Sequence, residues 1–206
     1  MRIRSGEVFF EKTDYKESDV LAILKETEAF LQGHFLLSSG LHSDTYIQCA
    51  KVLQYPKYAE LFGRLIANQI DSKIDLVVSP ALGGIIIGYE VARALKVPFV
   101  FTEREENGEM TLRRGQKIGK GLKVVIVEDV ITTGKSSIEV AKVVNESEGE
   151  VAFFSSIVNR SEKSILLDRK IISLVNIKTN IYAPEVCPLC KKGYELVKPG
   201  SRKISK

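Results

Sequence analysis

The chain of 206 residues contains no tryptophan, only two histidines, three cysteines and six prolines. So few cysteines give no disulfide framework, and a chain this long can bury a core without one. No apolar run approaches the length needed to span a bilayer, so no membrane association is expected. The opening MRIRSGEVFFEKTDYKESD has no continuous apolar stretch of the kind a secretory signal requires, and a cytoplasmic location is expected. There is no internal repeat and no low-complexity segment. A charge excess on the body is also lacking. The net charge is +4, but Lys191, Lys192, Lys198, Arg202, Lys203 and Lys206 face a single acid, Glu195, in residues 191–206. The tail therefore carries +5 and the remaining 190 residues sum to −1. That balance gives no sign of a basic face, so the tail reads as a solvated terminus and no nucleic-acid partner is expected.

What is present is an ordinary soluble composition, 44% hydrophobic and 27% charged. Helix-period and strand-like runs alternate, which argues for an α/β fold. Ser18 can cap a helix over residues 18–32, where Val20, Leu21, Leu24 and Leu31 recur at helical spacing and Gly33 suits a stop. Residues 34–48 read as a short hairpin or extended segment. Leu61, Phe62, Leu65, Ile66 and Ile70 share one face of a helix over 56–70. Short apolar runs at 75–78, 98–102, 123–127, 151–158 and 171–175 read as strands. Helices are expected over 84–94 and 136–148. This order gives a doubly wound, mainly parallel sheet with right-handed crossovers.

The most informative segment runs from Val124 to Ser137. Four buried aliphatics end in Glu128-Asp129; Val130-Ile131-Thr132-Thr133-Gly134-Lys135-Ser136 follow, and a helix begins. Ligands of open α/β sheets bind beyond the carboxyl ends of the strands. Adjacent carboxylates there suit the two hydroxyls of a ribose, which donate hydrogen bonds to them. Hydroxyls and free N–H groups at a helix N-terminus suit a phosphate, with Gly134 permitting the tight turn. The segment lacks the first glycine of a Walker A loop, since Asp129 stands five residues before Gly134, and it is not a GxGxxG fingerprint.

On these residues the chain resembles the type I phosphoribosyltransferases. It is similar to their orotate branch through Gly33-His-Phe-Leu-Leu-Ser-Ser-Gly40-Leu-His-Ser-Asp-Thr-Tyr46, Ser79-Pro-Ala-Leu-Gly-Gly84, and Phe101-Thr-Glu-Arg-Glu105 followed by Arg113-Arg114-Gly115. The resemblance implies a mainly parallel twisted sheet flanked by helices, with a small N-terminal hood and a mobile lid loop. It implies one domain over 1–206, with a hood over about 1–50, a core over 51–182 and a C-terminal extension over 183–206. It implies transfer of a phosphoribosyl group from 5-phosphoribosyl 1-diphosphate to orotate, with Mg²⁺ carried by the substrate, in a homodimer. Glu128, Asp129, Val130, Ile131, Thr132, Thr133, Gly134, Lys135 and Ser136 would hold the ribose 5-phosphate. Thr132 and Arg160 would contact orotate, since a planar dianion suits a bidentate guanidinium. Backbone amides at residues 81–84 would receive diphosphate. The polar stretch 103–121 would be the lid, with Arg104, Arg113 and Arg114 closing over the leaving group and excluding water.

Two departures from the family pattern touch the site. Ser38 stands where many members carry lysine, and Leu82-Gly83 replaces a Tyr-Lys pair. A purine phosphoribosyltransferase and a non-catalytic sensor of the donor are the rival readings.

Cys187-Pro-Leu-Cys190 has zinc-knuckle spacing, but no second CxxC exists and Cys49, His34 and His42 are the only other cysteine or histidines. The expectation is two thiols packing a C-terminal turn, with a zinc shared between subunits as the alternative.

Overall fold

The computed structural model describes residues 14–37 and 39–199; Ser38 and the end of the basic tail lie outside them. The elements in chain order are α1 (Glu17–Glu26), β1 (Phe30–Leu36), β2 (His42–Ile47), α2 (Ala50–Leu53), α3 (Pro56–Ala67), β3 (Leu76–Pro80), α4 (Gly84–Leu95), β4 (Phe99–Arg104), β5 (Met110–Leu112), β6 (Lys123–Ile131), α5 (Lys135–Glu146), β7 (Glu150–Asn159), β8 (Ile165–Leu166), β9 (Arg169–Asn176), β10 (Ile181–Tyr182) and α6 (Pro188–Lys191).

The main sheet has the order β5-β4-β3-β6-β7-β9-β8. Its five inner strands are mutually parallel, and β5 and β8 close the edges in antiparallel pairs. The expected α/β class and mainly parallel sheet are thus observed. Strand β6 shows why its sequence is continuously apolar. Val125 and Val127 pack into one core with Phe62, Ile66, Ile87 and Val91 of α3 and α4. Val124 and Ile126 pack into a second core with Val140, Ala141 and Val144 of α5. Both faces of the strand are covered, so alternation disappears. The chain adds strands to one side of β3 and then, from β6 onward, to the other. Loops at the carboxyl ends of β3 and β6 therefore diverge and leave a crevice between them.

The first helix is shorter than expected. It is capped at Lys16, whose N–H donates to Asp19 Oδ2 at 2.8 Å, and it ends at Glu26. The Thr27 hydroxyl donates to the Ile23 carbonyl at 2.7 Å, and Glu28 turns the chain with a φ of 56°. Leu31, which fits the helical period, instead pairs with Tyr46 across β1 and β2. Sheet pairing wins over local periodicity here.

Strands β1, β2 and β10 form a separate three-stranded layer. Val197 adds a bridge to Phe35, so residues near the C-terminus complete a layer begun near the N-terminus. Among the described residues no helix is long and apolar enough to cross a membrane.

Candidate active site

Strand β6 continues through Glu128 and Asp129 to Ile131, so the two acids sit inside the strand's last turn of pleat rather than in the loop beyond it. Successive side chains of a strand point to opposite faces. Glu128 follows Val124 and Ile126 toward α5, where the Ser137 hydroxyl donates to its Oε1. Asp129 follows Val125 and Val127 toward α4. A Cβ placed on Gly83 would lie 2.7 Å from Asp129 Oδ1, so the glycine leaves the space that this carboxylate fills. The Leu82-Gly83 departure has a physical basis in that contact. Leu82 itself is 83% exposed beside it.

The two carboxyls differ from ordinary surface acids. Glu128 is 8% exposed. Burial pushes its pKa up to about 7, against the pull of the Ser137 hydrogen bond. Asp129 is also raised by burial, opposed by the Val130 N–H that donates to its Oδ1 at 2.9 Å.

Thr132 and Thr133 are exposed in the turn after β6. Gly134 takes a φ of +79°, the left-handed region where a Cβ is strained, and starts α5. The Lys135 N–H donates to Thr133 Oγ1 at 3.3 Å and the Ser137 N–H serves the Glu128 carboxylate, while the Ser136 N–H has no partner within the helix. Hydroxyls, amides and the positive end of the helix dipole converge there, a setting for a phosphate. The Lys135 ammonium lies 4.0 Å from Glu139 Oε1 on the outer face.

Arg160 follows β7, and its N–H donates to the Ile131 carbonyl at 2.8 Å, which fastens it beside the start of this turn. Its guanidinium donates to Thr179 Oγ1 through Nη2 at 2.9 Å. Burial lowers its pKa, partly offset by the Asp44 carboxylate of β2. Glu162, two residues further on, pairs with Lys178 at 3.8 Å. Of the amides expected to receive diphosphate, that of Ala81 is committed to the Thr102 carbonyl at 2.8 Å, which leaves those from Leu82 onward.

Residues 103–121 are not a shapeless loop. The segment folds back as a hairpin in which Glu103 pairs with Thr111 and Arg104 with Met110. Arg104 donates to the Gly108 carbonyl at 2.7 Å and pairs with Glu139 of α5. Arg114 holds Glu103 through two hydrogen bonds, at 2.9 and 3.0 Å. Arg113 is exposed near Glu105 and Glu106.

Residues 50–191 match the phosphoribosyl transferase domain. Over 190 residues the chain is 50% identical to an orotate phosphoribosyltransferase of Caldanaerobacter subterraneus subsp. tengcongensis, covering 92% of this chain and 100% of that one. This chain belongs to the orotate phosphoribosyltransferase family. It is 49% identical to the orotate phosphoribosyltransferase of Caldicellulosiruptor saccharolyticus, over 89% of this chain and 96% of that one. The crystal structure of orotate phosphoribosyltransferase from Aeropyrum pernix superposes with a TM-score of 0.66 at 26% identity, over 77% of this chain and 93% of that one.

For this member of the family, sequence reasoning missed three contributors. Ser137 closes the segment singled out in the sequence but is given no contact there, yet it is the donor that holds Glu128. Asp44 and Thr179 lie far from Arg160 along the chain and meet it only in the fold. Cys187 and Cys190 were separated from His34 and His42 in sequence; in the fold the ligand atoms of all four lie within 4.8 Å of one another.

Proposed function

We propose that the protein transfers the 5-phosphoribosyl group of 5-phosphoribosyl 1-diphosphate to orotate, releasing diphosphate and forming orotidine 5′-monophosphate for pyrimidine (UMP) biosynthesis in the cytoplasm. One observation carries the reading. The Arg160 amide is bonded to the Ile131 carbonyl, which sets a half-buried guanidinium beside the turn that follows the two acids. A site for a ribose diol, a site for a phosphate and a partner for a carboxylated base thus share one sheet edge.

In this reading Thr132, Thr133, Gly134, Lys135 and Ser136 take the 5-phosphate, with Val130 and Ile131 shaping the wall of the ribose pocket. Glu128 and Asp129 accept hydrogen bonds from the ribose hydroxyls. Thr132 and Arg160 orient orotate so that its ring nitrogen faces C1 of the sugar. The C–O bond to diphosphate breaks as the C–N bond forms, and positive charge develops at C1. No covalent nucleophile is required; the rate comes from positioning and from stabilised charge on the leaving group. Carboxylate and hydroxyl oxygens at this edge suit a hard cation that arrives with the substrate, and Mg²⁺ carried in this way would supply charge neutralisation at the diphosphate. Arg104, Arg113 and Arg114 reach the leaving group when the 103–121 hairpin swings over, exchanging the Arg104–Glu139 and Arg114–Glu103 pairs for diphosphate. Exposed Leu82, Ile86 and Tyr89 at and after the start of α4 support a homodimer that covers this apolar surface.

The test is turnover of phosphoribosyl diphosphate with Mg²⁺ and each base in turn. Orotidine 5′-monophosphate is the expected product. Conversion of hypoxanthine or adenine with orotate untouched, or donor binding with no turnover of any base, would overturn the reading.

A further inference from the structure

The cluster of His34, His42, Cys187 and Cys190 is not part of the proposed transfer chemistry. Strand β1 supplies His34 and strand β2 supplies His42, next to the register shift between Gln32 and Phe35 that re-aims β1. Cys187 and Cys190 flank the first turn of α6. His34, His42 and Cys187 are buried and Cys190 is exposed.

The ligand atoms of all four side chains lie within 4.8 Å of one another, and three of the four separations that follow match those around a tetrahedral metal. His34 Nε2 lies 2.9 Å from His42 Nδ1, 3.5 Å from Cys187 Sγ and 3.7 Å from Cys190 Sγ, and Cys190 Sγ lies 3.3 Å from His42 Nδ1. Tetrahedral zinc with bonds of about 2.3 Å to sulfur and about 2.0 Å to nitrogen places its ligand atoms roughly 3.3 to 3.8 Å apart. A second observation fixes which nitrogen is free to bind. His34 Nδ1 lies 2.9 Å from the Tyr194 carbonyl oxygen, which can only accept, so Nδ1 carries the proton and Nε2 presents its lone pair to the cluster. A histidine ligand held through its other nitrogen by a backbone carbonyl is the usual support of a bound metal.

We propose that these four side chains bind one zinc ion per chain in a closed Cys2His2 site. Two thiolates and two neutral imidazoles balance the ion's charge, and soft sulfur with imidazole in a tetrahedron selects zinc over magnesium or calcium. All four positions are filled by protein, so the ion has no place for a substrate or an activated water and its role is structural. It ties residues 187–197 to the β1–β2 hairpin, a layer whose third strand has only two residues and which is too small to be stable alone.

The test uses the full chain, purified without chelator and under reducing conditions. Elemental analysis is expected to find one equivalent of zinc. Replacement by cobalt is expected to give the visible bands of a tetrahedral ion together with thiolate-to-cobalt charge transfer. Chelation at high temperature is expected to lower the melting temperature of the parent and to leave that of a Cys187→Ser/Cys190→Ser protein unchanged. No retained metal after reconstitution with zinc, cobalt bound without thiolate charge transfer, or full zinc content in the double variant would each overturn the proposal. The cobalt spectrum of the parent decides the matter even if the double variant does not fold.

Discussion

The Ser137 hydroxyl donates a hydrogen bond to Glu128 Oε1, nine residues back along the chain, and so couples the first turn of α5 to the acid pair of β6. The bond favours the ionised form of a carboxyl that burial has raised to about 7. Ser137→Ala removes that donor. The acid limb of the kcat/KM profile for phosphoribosyl diphosphate should then move to higher pH, because Glu128 must be ionised to accept from the ribose diol. A profile measured between about pH 5 and 9 checks this, and a limb that stays put would disconnect Glu128 from donor binding.

The same raised pKa predicts a stability effect. Between the ordinary carboxyl value of 4.5 and about 7 the folded protein holds a proton that the unfolded chain has released. Stability therefore falls as pH rises through that window and stays reduced above it. Glu128→Gln removes the titration. The pH-dependent part of its stability gain should grow from near zero at about pH 4.5 to as much as about 3 kcal/mol by about pH 8. Urea unfolding at both pH values is the measurement, and a gain independent of pH would contradict the assignment.

Arg160 offers a sharper split between the two substrates. Arg160→Lys keeps the charge but loses the planar fork. KM for orotate should rise by about 10- to 100-fold, the scale of a lost charge-assisted bidentate contact, with KM for the donor nearly unchanged. Equal effects on both substrates would place Arg160 elsewhere in the mechanism.

The hairpin over 103–121 holds Arg104 against Glu139. If closure exchanges that pair, Glu139→Gln should raise kcat/KM for the donor about 2- to 5-fold, the range expected of a partly exposed ion pair. Arg104→Ala should lower kcat by on the order of 10- to 100-fold. Steady-state kinetics of the two variants side by side reveal whether the pair is a latch.

Gly134→Ala tests the turn. Its φ of +79° strains any Cβ, and the added carbon would meet the Leu166 side chain at 3.1 Å. A loss of about 1–2 kcal/mol is expected on backbone grounds alone, together with weaker binding of inorganic phosphate by calorimetry.

The sheet and the donor motif were readable because their determinants are local. Val124 to Val127 announce a strand buried on both faces, and Glu128 to Ser136 form one uninterrupted stretch. The helix over 18–32 was overextended because Leu31 satisfies a helical period as well as a strand, and only Tyr46 across the hairpin decides between them. The 103–121 hairpin was hidden because its register rests on cross-strand pairs within a polar sequence, where no apolar alternation shows the face. His34 and Cys187 stand 153 residues apart, and nothing in the neighbourhood of either names the other.

The closing of the small layer from both ends of the chain also sets an order of assembly. Its hairpin leaves the ribosome long before β10 and Val197, and 160 residues separate His34 from the Tyr194 carbonyl that orients it. During synthesis the outer edge of β2 stays unpaired while the central sheet can already form. A nascent chain stopped short of Ile181 keeps that open strand edge, a template for pairing with other chains. Residues made late thus seal strands made early.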